Sequence, residues 1–398
     1  MRLFSTLILG ASITLASCNQ KQKNEDYSWV KNGIETASFQ LHQSAVQFAD
    51  SALFPRSVKD GKVKLIDPKD WTSGFFPGSL WYEYKLTGND FFRQEAEKYT
   101  HLLHDVQYYK GTHDLGFMMF CSYGNELHLM KDTTKVAPIL VETANSLISR
   151  FNPEIGTIRS WDFGEWNYPV IIDNMMNLDL LFWVSKYTKD PKYKEIAMIH
   201  ADNTIKNHFR ADMSSYHVVS YNNDGSVESQ GTFQGYADSS AWARGQAWGL
   251  YGYISCYRET NEEKYLDQAI KIAAFIMNNP AIPEDLVPYW DYNAPNIPDA
   301  PRDASAAAVT ACALLELSTM TGEQGKAYFD YAEKILKNLS GEKYLAAKGT
   351  NGGFILKHSV GHLPANSEID TPLNYADYYY LEGLDRYLTI KNVDPKTL

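Results

Sequence analysis

Cysteine is scarce in this chain of 398 residues, which contains only four. One of them, Cys18, lies close to the N-terminus, whereas Cys121, Cys256 and Cys312 are widely separated and lie within apolar runs. An odd number of distant cysteines does not form a disulfide framework, and a buried thiol behaves as a small hydrophobic side chain. We therefore predict that these last three cysteines are free and buried.

The chain is also short of positive charge, with 37 Lys and Arg against 48 Asp and Glu and a formal net charge of −11. No basic stripe is available to replace the counterions around phosphates, which excludes a nucleic-acid-binding protein. The net charge does not exclude an acidic small substrate, because such a molecule responds to the local field in a cleft.

Patterns for metal and cofactor sites are missing too. His101 and His104 are one helical turn apart, but no third metal ligand accompanies them. The sequence has no Gly-rich phosphate loop, no nucleophile elbow around a serine and no Cys–His pair at an interpretable spacing. We therefore predict neither a metal ion nor a cofactor.

A hydrophobic run long enough to span a membrane is the last missing feature. Residues 3–15 follow the positive Arg2 and are apolar, but they are too few to cross a bilayer. Because Leu-Ala-Ser-Cys18 comes next, we predict a lipoprotein signal peptide over residues 1–17 and lipidation of Cys18, with an ordinary secretory signal as the alternative. Residues 18–28 are polar and are predicted to be a tether. The protein is thus expected to be lipid-anchored in the cell envelope, in the periplasm or at the outer membrane.

The most informative feature that the chain does contain is an internal repeat. A polar turn phrase occurs at residues 85–92, 186–193, 258–265 and 318–325, and a looser version starts at Met130. Each phrase follows a helix that is apolar almost all round, predicted at 75–86, 115–129, 174–187, 242–257 and 304–320. It precedes an amphipathic helix, predicted at 90–107, 134–151, 191–209, 262–279 and 325–340. Because a helix that is apolar on every side is buried, each unit is predicted to pair an inner helix with an outer one. A Thr or Asp in each phrase is suited to cap the outer helix.

These hairpins predict an all-α fold of the (α/α)6 toroid type, also called a six-hairpin barrel. Five hairpins are clear, and a sixth forms if residues 375–390 are inner and residues 29–49 are their outer partner. We expect a single catalytic domain over residues 29–398. A solenoid is the alternative, but the N-terminal helix has no hairpin partner of its own, which favours closure. Loops at 212–236 and 344–358 have room for small strands.

In such a toroid the N-termini of all inner helices meet at one end, where their unpaired N–H groups favour anions. Two acidic residues, Asp114 and Asp173, lie at the starts of neighbouring inner helices, and each could simply be an N-cap. Their position together, near Trp and His residues, favours a site with a pair of carboxylates that transfer protons.

Several other side chains belong to the same end of the predicted barrel. Trp161, Trp166, Trp242 and Trp248 lie in or near these loops, and each has the alternative of lining the core. Arg244 lies in an apolar helix and needs an anion, from either a protein carboxylate or a substrate. His217 and Gln234 precede that helix in a loop that reaches the same mouth.

Five strings in this order make the chain resemble glycoside hydrolase family 88, the unsaturated glucuronyl hydrolases. They are His113-Asp-Leu-Gly-Phe, Ile172-Asp-Asn-Met-Met-Asn-Leu, Ser240-Ala-Trp-Ala-Arg-Gly-Gln-Ala-Trp-Gly, Pro288-Tyr-Trp-Asp-Tyr-Asn-Ala-Pro with Arg302-Asp-Ala-Ser-Ala, and Asn374-Tyr-Ala-Asp-Tyr-Tyr. The resemblance covers roughly residues 30–390, and it implies the same (α/α)6 toroid that the repeat predicts independently.

The resemblance implies a hydration reaction on an unsaturated acidic disaccharide or oligosaccharide, the product of a polysaccharide lyase. An acid protonates C4 of a 4,5-unsaturated uronic acid, water adds at C5, and the resulting hemiketal opens and releases the neighbouring sugar. By family position the acid is Asp173, and Asp114 keeps it partly protonated. The same transfer implies that His113, His217, Gln234 and Arg244 contact the uronate. It implies also that Trp161, Trp242 and Trp248 pack against it.

The parent polysaccharide is left open, because the loop 357–370 matches no pattern that reports sulfation. Chondroitin, hyaluronan and heparin are all candidates. Unsaturated rhamnogalacturonyl hydrolysis on pectin fragments is the nearest alternative function, and it uses the same fold and chemistry. A sugar isomerase would need a pair of histidines at the mouth, where His113 and His217 are available. A non-catalytic glycan-binding lipoprotein would keep the aromatic residues but has no need of the two aspartates.

Overall fold

The structure is a computed structural model that describes residues 26–398. The predicted signal peptide, the predicted lipidation site Cys18 and most of the predicted tether lie outside the described residues. Within residues 26–398, no helix is both long enough and apolar enough to cross a membrane.

Six helical segments form an inner ring. They are α2 (Phe75–Thr87), a π-helix (Gly116–Gly124) that continues into α4 (Asn125–Met130), α6 (Leu178–Thr188), α8 (Ala243–Thr260), α10 (Ala304–Ser318) and α12 (Asn374–Ile390). Each packs against the next, and α12 packs against α2, which closes the ring. The predicted (α/α)6 toroid is therefore confirmed, and the solenoid alternative is excluded.

Six outer helices surround this ring. They are α1 (Ser28–Gln47), α3 (Asp90–His101), α5 (Thr133–Ile148), α7 (Pro191–Asn207), α9 (Glu263–Met277) and α11 (Gly325–Leu339). The predicted Asp caps are present on α5 and α7, where Asp132 and Asp190 accept hydrogen bonds from the first-turn N–H groups. On α3 the cap is Asn89, and neither α9 nor α11 has a side-chain cap. The cap prediction was thus right only where the phrase places Asp directly before the helix.

Two inner segments begin irregularly. The second begins as a π-helix, and α6 is preceded by a 3-10 helix (Ile172–Asn177). The two segments touch closely, because a Cβ added to Gly116 would lie 2.6 Å from the Cα of Asn177. The buried Asn177 side chain also accepts a hydrogen bond from the Phe117 N–H at 3.0 Å. A π-turn is uncommon and often marks a functional site. Asp114 lies just before the π-helix, and Asp173 lies on the 3-10 helix.

Small antiparallel sheets lie in the connections from an outer helix to the next inner segment. The predicted strands of loop 212–236 are confirmed as β6 (Val218–Tyr221) and β7 (Val227–Gly231), which pair with β5 (Pro169–Ile171) in the order β5-β6-β7. A two-stranded pair, β3 (Phe151–Asn152) and β4 (Thr157–Ile158), lies between α5 and the three-stranded sheet in sequence. In loop 344–358 only an isolated bridge forms, between Leu345 and Leu356.

Besides the β3–β4 pair, a longer β-hairpin was not predicted. It consists of β1 (Phe54–Lys59) and β2 (Lys62–Ile66) and is joined by Asp60 and Gly61, whose φ angles are 51° and 73°. An Asp-Gly pair with both residues at positive φ is the usual signal of a two-residue hairpin turn. The signal was therefore present, and the hairpin brings Arg56 to the end of the barrel that holds the two aspartates.

The core contains the predicted free cysteines. Cys256 and Cys312 are buried on inner helices, whereas Cys121 is only partly buried. The prediction of unpaired thiols is confirmed for these three residues, and the prediction of burial holds in full for two of them.

Candidate active site

A cavity of about 450 Å³ opens at the end of the barrel where the inner segments start. Its walls come from β1 and from the loops before α2, the π-helix, the 3-10 helix, α8 and α12, together with the 3-10 helix itself. The predicted site residues among its lining are His113, Asp114, Trp161, Asp173 and Gln234. The convergence of inner-helix starts on one end, expected from the repeat, therefore produces a single cavity with both acids in it.

Asp173 lies deep in this cavity, and only 6% of its surface is exposed. Burial raises the pKa of its carboxyl to about 7, and the negative charge of Asp114 contributes in the same direction. The positive charge of Arg244 acts against this shift. One oxygen of Asp173, Oδ2, has no hydrogen-bond partner among the described residues. Asp173 is thus a buried acid whose pKa is raised to near neutrality.

Asp114 lies beside Asp173 on the neighbouring segment. Its Oδ2 accepts a hydrogen bond from the Thr112 hydroxyl at 2.6 Å, and its Oδ1 lies 3.2 Å from His113 Nε2. The side chain is 16% exposed, so Asp114 is more accessible than Asp173. These contacts fix the orientation of Asp114 while one edge of its carboxyl still faces the cavity.

His217 stands behind Asp173, and its protonation state follows from its contacts. Its Nδ1 accepts hydrogen bonds from the backbone N–H groups of Phe233 and Gln234 at 3.0 and 3.2 Å. The proton of the neutral ring is therefore on Nε2, which lies 3.6 Å from Asp173 Oδ2. Burial lowers the pKa of His217 well below its usual value, and burial also lowers the pKa of His113. Neutral imidazoles do not stabilise a carboxylate as a cation would, so Asp173 keeps its raised pKa.

Trp161 and Gln234 form another part of the wall. Trp161 is largely buried and its indole Nε1 has no hydrogen-bond partner among residues 26–398. The Gln234 side chain donates to the Gly361 carbonyl at 3.1 Å, which connects the loop before α8 to the loop 357–370. These groups leave polar and aromatic surface facing the cavity.

Four predicted site residues, His217, Trp242, Arg244 and Trp248, lie behind the wall and are not part of the cavity lining. Trp242 packs edge-on against His217 with ring centroids 4.7 Å apart, and Trp248 packs against Phe117 at 5.0 Å. Trp242 therefore packs against the histidine beside Asp173, and direct contact of either tryptophan with the uronate remains a prediction.

The anion that pairs with Arg244 is a carboxylate of the protein itself. Its guanidinium is fully buried, and it forms an ion pair with Asp303 at 2.6 Å and donates to the Gly361 carbonyl at 2.6 Å. Its Cζ lies 4.5 Å from the Trp242 ring centroid and 5.3 Å from that of Tyr375. Of the two anions considered from the sequence, the protein carboxylate is present. A direct contact between Arg244 and the substrate remains a prediction.

Several residues of the lining were not predicted from the sequence. Arg56 on β1 donates to Asp70 at 2.7 Å and to Glu368 at 2.7 Å, and so joins the β-hairpin to the loop 357–370. Tyr375 at the start of α12 has a buried hydroxyl without a partner among the described residues. Phe163 and Phe233 line the outer part of the cavity. Tyr375 belongs to a string that the sequence analysis quoted, whereas Arg56 had no signal apart from the Asp60-Gly61 turn.

A larger cavity of about 540 Å³ opens at the opposite end of the barrel. Its charged groups are paired with one another, as Arg258 with Asp179 at 2.6 Å and Arg386 with Glu382 at 2.7 Å. The same two arginines hold the pKa of the nearby Glu316 at about 2. The smaller cavity contains Asp173, whose pKa is raised to about 7, so the chemistry favours that cavity.

The geometry is suited to proton transfer to a bound molecule followed by proton uptake from water. One buried acid with a pKa near neutrality can perform both steps. Within residues 26–398, no group of three or more His, Cys, Asp or Glu side chains is arranged to hold a metal ion.

Comparisons with known proteins find relatives that share one described activity. The chain is 44% identical over 390 residues to an unsaturated glucuronyl hydrolase of Formosa agariphila. This alignment covers 96% of this chain and 97% of that protein. It resembles a crystal structure of an unsaturated glucuronyl hydrolase specific for heparin with a TM-score of 0.91, at 53% identity over 93% of this chain and 100% of the other. A variant of the Streptococcus agalactiae enzyme in complex with dGlcA-GalNAc6S gives a TM-score of 0.75 at 27% identity, over 90% and 91% of the two chains. A family model described as a domain of unknown function matches residues 2–64.

Proposed function

The chain belongs to the unsaturated glucuronyl hydrolases of glycoside hydrolase family 88, and from this premise we propose that Asp173 performs the proton transfers of its reaction. The enzyme is a hydrolase that removes a 4,5-unsaturated uronic acid from the non-reducing end of oligosaccharides. The observation that carries the proposal for Asp173 is its buried carboxyl, which lies in the cavity wall and has a pKa raised to about 7.

The proposed reaction begins with Asp173 in its protonated form. Its proton moves to C4 of the substrate, the C4=C5 double bond is consumed, and positive charge develops at C5 and the ring oxygen. A water molecule then bonds to C5, and the Asp173 carboxylate accepts the proton that this water loses. The product is a hemiketal, whose ring opens and expels the neighbouring sugar. Asp173 ends the cycle protonated, so the acid is regenerated without any further group.

The neighbours of Asp173 support this cycle in different ways. The charge of Asp114 disfavours ionisation of Asp173 before the substrate is protonated. The Nε2 proton of His217, 3.6 Å from Asp173 Oδ2, is placed to hydrogen-bond the carboxylate once it forms. Because the ring is neutral, this support does not remove the proton that the first step needs.

For the parent polymer we propose a glycosaminoglycan of the heparin type. The support is the 53% identity, over 93% of this chain, to an enzyme whose crystal structure is described as specific for heparin. The Streptococcus agalactiae enzyme, which was solved with a chondroitin-type disaccharide, is less similar at 27% identity. In this chain the loop 357–370 contributes Gly361, His362, Ser367 and Glu368 to the cavity wall, so it is positioned to discriminate between leaving sugars.

The experiment that tests the function follows the ultraviolet absorbance of the conjugated double bond. Purified protein is incubated with unsaturated disaccharides produced by lyases from heparin, chondroitin, hyaluronan and pectin. We expect absorbance to fall, and to fall fastest with the heparin disaccharides, because hydration destroys the conjugation. A preference for the pectin product would replace the proposal by unsaturated rhamnogalacturonyl hydrolysis. Binding of a disaccharide without any fall in absorbance would support a glycan-binding protein instead.

We also propose that the enzyme is anchored by lipid at Cys18 in the cell envelope. The support is the apolar run of residues 3–15, the sequence Leu-Ala-Ser-Cys18 and the polar residues that follow it. Stable anchoring needs more than one acyl chain, which a lipidated N-terminal cysteine supplies. The Cys18→Ala variant is expected to leave the membrane fraction. A matched Cys121→Ala variant should stay in it, and equal distribution of the two variants would contradict the anchor.

A further inference from the structure

The mouth of the active-site cavity carries an exposed aromatic surface that the proposed mechanism does not use. Phe163 and Phe233 are 55% and 36% exposed, and both line the cavity. We call these two residues the aromatic lip. Large exposed apolar side chains beside a cavity are typical of a binding surface, because leaving them in water gains nothing for the folded protein.

The aromatic lip is rigidly supported from below. The ring of Phe163 is stacked on that of buried Trp161, with centroids 5.0 Å apart and an interplanar angle of 15°. The ring of Phe233 lies 5.5 Å from Trp161 and 4.6 Å from His362. Both rings of the lip thus pack on the buried Trp161 ring.

The backbone ties the lip to the catalytic centre. The Phe233 N–H donates to His217 Nδ1 at 3.0 Å, and its carbonyl lies 2.7 Å from His362 Nε2. His217 in turn lies 3.6 Å from Asp173. His217 is therefore the one residue between Phe233 and Asp173 in this chain of contacts. The lip itself lies at the outer side of the cavity.

We infer that the aromatic lip binds the sugar that leaves when the unsaturated uronic acid is removed, with Phe163 and Phe233 stacking on its C–H face. This inference rests on the proposed function, because the uronic acid must enter deeply enough to reach buried Asp173. The next sugar then lies toward the mouth, where flat apolar rings are available to a pyranose face. Phe163 and Phe233 are positioning residues, and they take no part in proton transfer.

The test compares two substrates that share the unsaturated glucuronic acid. One is the unsaturated heparin disaccharide, and the other is the methyl glycoside, whose leaving group is too small to reach the lip. In Phe163→Ala and Phe233→Ala, kcat/KM for the disaccharide is expected to fall about tenfold for each ring removed. The value for the methyl glycoside is expected to stay unchanged, since the Phe233 N–H that holds His217 survives the substitution.

Two further variants serve as controls. Tyr236→Ala removes an aromatic ring that is 50% exposed on the same loop but does not line the cavity, so it should leave both substrates unaffected. Phe233→Tyr keeps a flat ring and should restore disaccharide turnover, whereas Phe233→Leu should not.

Equal losses on both substrates would reduce the two residues to a structural role and overturn the inference. Normal disaccharide kinetics in the double variant would also overturn the inference. In that case, hydration of the methyl glycoside would leave the proposed function intact. Failure of the unsubstituted enzyme to hydrate either compound would contradict the proposed function itself, and the lip with it.

Discussion

Replacement of Asp173 by Asn is expected to lower kcat by about 10²–10⁴-fold, the range found when a positioned acid or base is removed. The loss should lie at the upper end, because the same carboxyl supplies the proton to C4 and accepts one from water. Asn is similar in size and does not ionise, so the buried site keeps its packing and disaccharide binding should remain. Ultraviolet absorbance gives the rate, and calorimetry of the inactive variant gives the affinity.

The matched control is Asp162→Asn, which changes an aspartate near the mouth whose side chain is 52% exposed and pairs with Arg150. That variant should keep full activity. A measurement of stability distinguishes a loss of catalysis from a loss of folding. The surroundings of Asp173 disfavour its charge, so a neutral side chain at this position should not destabilise the protein. The Asp173→Asn variant should therefore unfold at no lower denaturant concentration than the unsubstituted enzyme. Unchanged turnover in it would exclude Asp173 as the acid.

The barrel was predictable because its signals are local. Each inner helix is apolar almost all round, each outer helix has one charged face, and the same turn phrase joins them. The closing contact between α12 and α2 followed from counting hairpins. The β1–β2 hairpin was missed because two short strands make a weak periodic signal, although its Asp60-Gly61 turn could have been recognised.

The convergence of Asp114 and Asp173 was predictable from the sequence, whereas the partners of the charged residues around them were not. Asp114 and Asp173 follow from their position at inner-helix starts, and the structure places both in one cavity. The partner of Arg244 could not be chosen from sequence, because a substrate anion and Asp303, 59 residues away, explain a buried arginine equally well. Likewise, the contact between Arg56 and Glu368 joins residues 312 positions apart, and only the folded chain brings them together.

Local irregularity was also beyond the sequence. Residues 115–129 predict an ordinary helix, but the segment begins as a π-helix where Gly116 and Phe117 contact Asn177. Such a register change depends on packing between neighbouring segments and not on helix propensity. It matters for function, because Asp114 immediately precedes this segment and Asp173 lies on the one it contacts.

Removal of the charge at Asp114 is expected to change the pH dependence of the enzyme as well as its rate. The charge of Asp114 contributes to the raised pKa of Asp173, so Asp114→Asn should lower that pKa below about 7. Desolvation is the larger cause and remains, so the pKa should not return to its ordinary value. Since the first step needs protonated Asp173, the alkaline limb of kcat/KM should move to lower pH. Above that limb, activity should fall about tenfold for each unit by which the pKa drops.

The direction of this shift distinguishes two roles for Asp114. If it acts through its charge, the loss in Asp114→Asn is large at pH 8 and small at pH 5, where Asp173 is protonated in both enzymes. If it acts only by hydrogen-bonding the substrate, the loss is the same at every pH and the limb does not move. Thr112→Val removes the hydroxyl that bonds Asp114 Oδ2 but keeps the charge, so it should leave the limb near its original position. A full set of pH–rate profiles for these variants would therefore assign the raised pKa of Asp173 to a named neighbour.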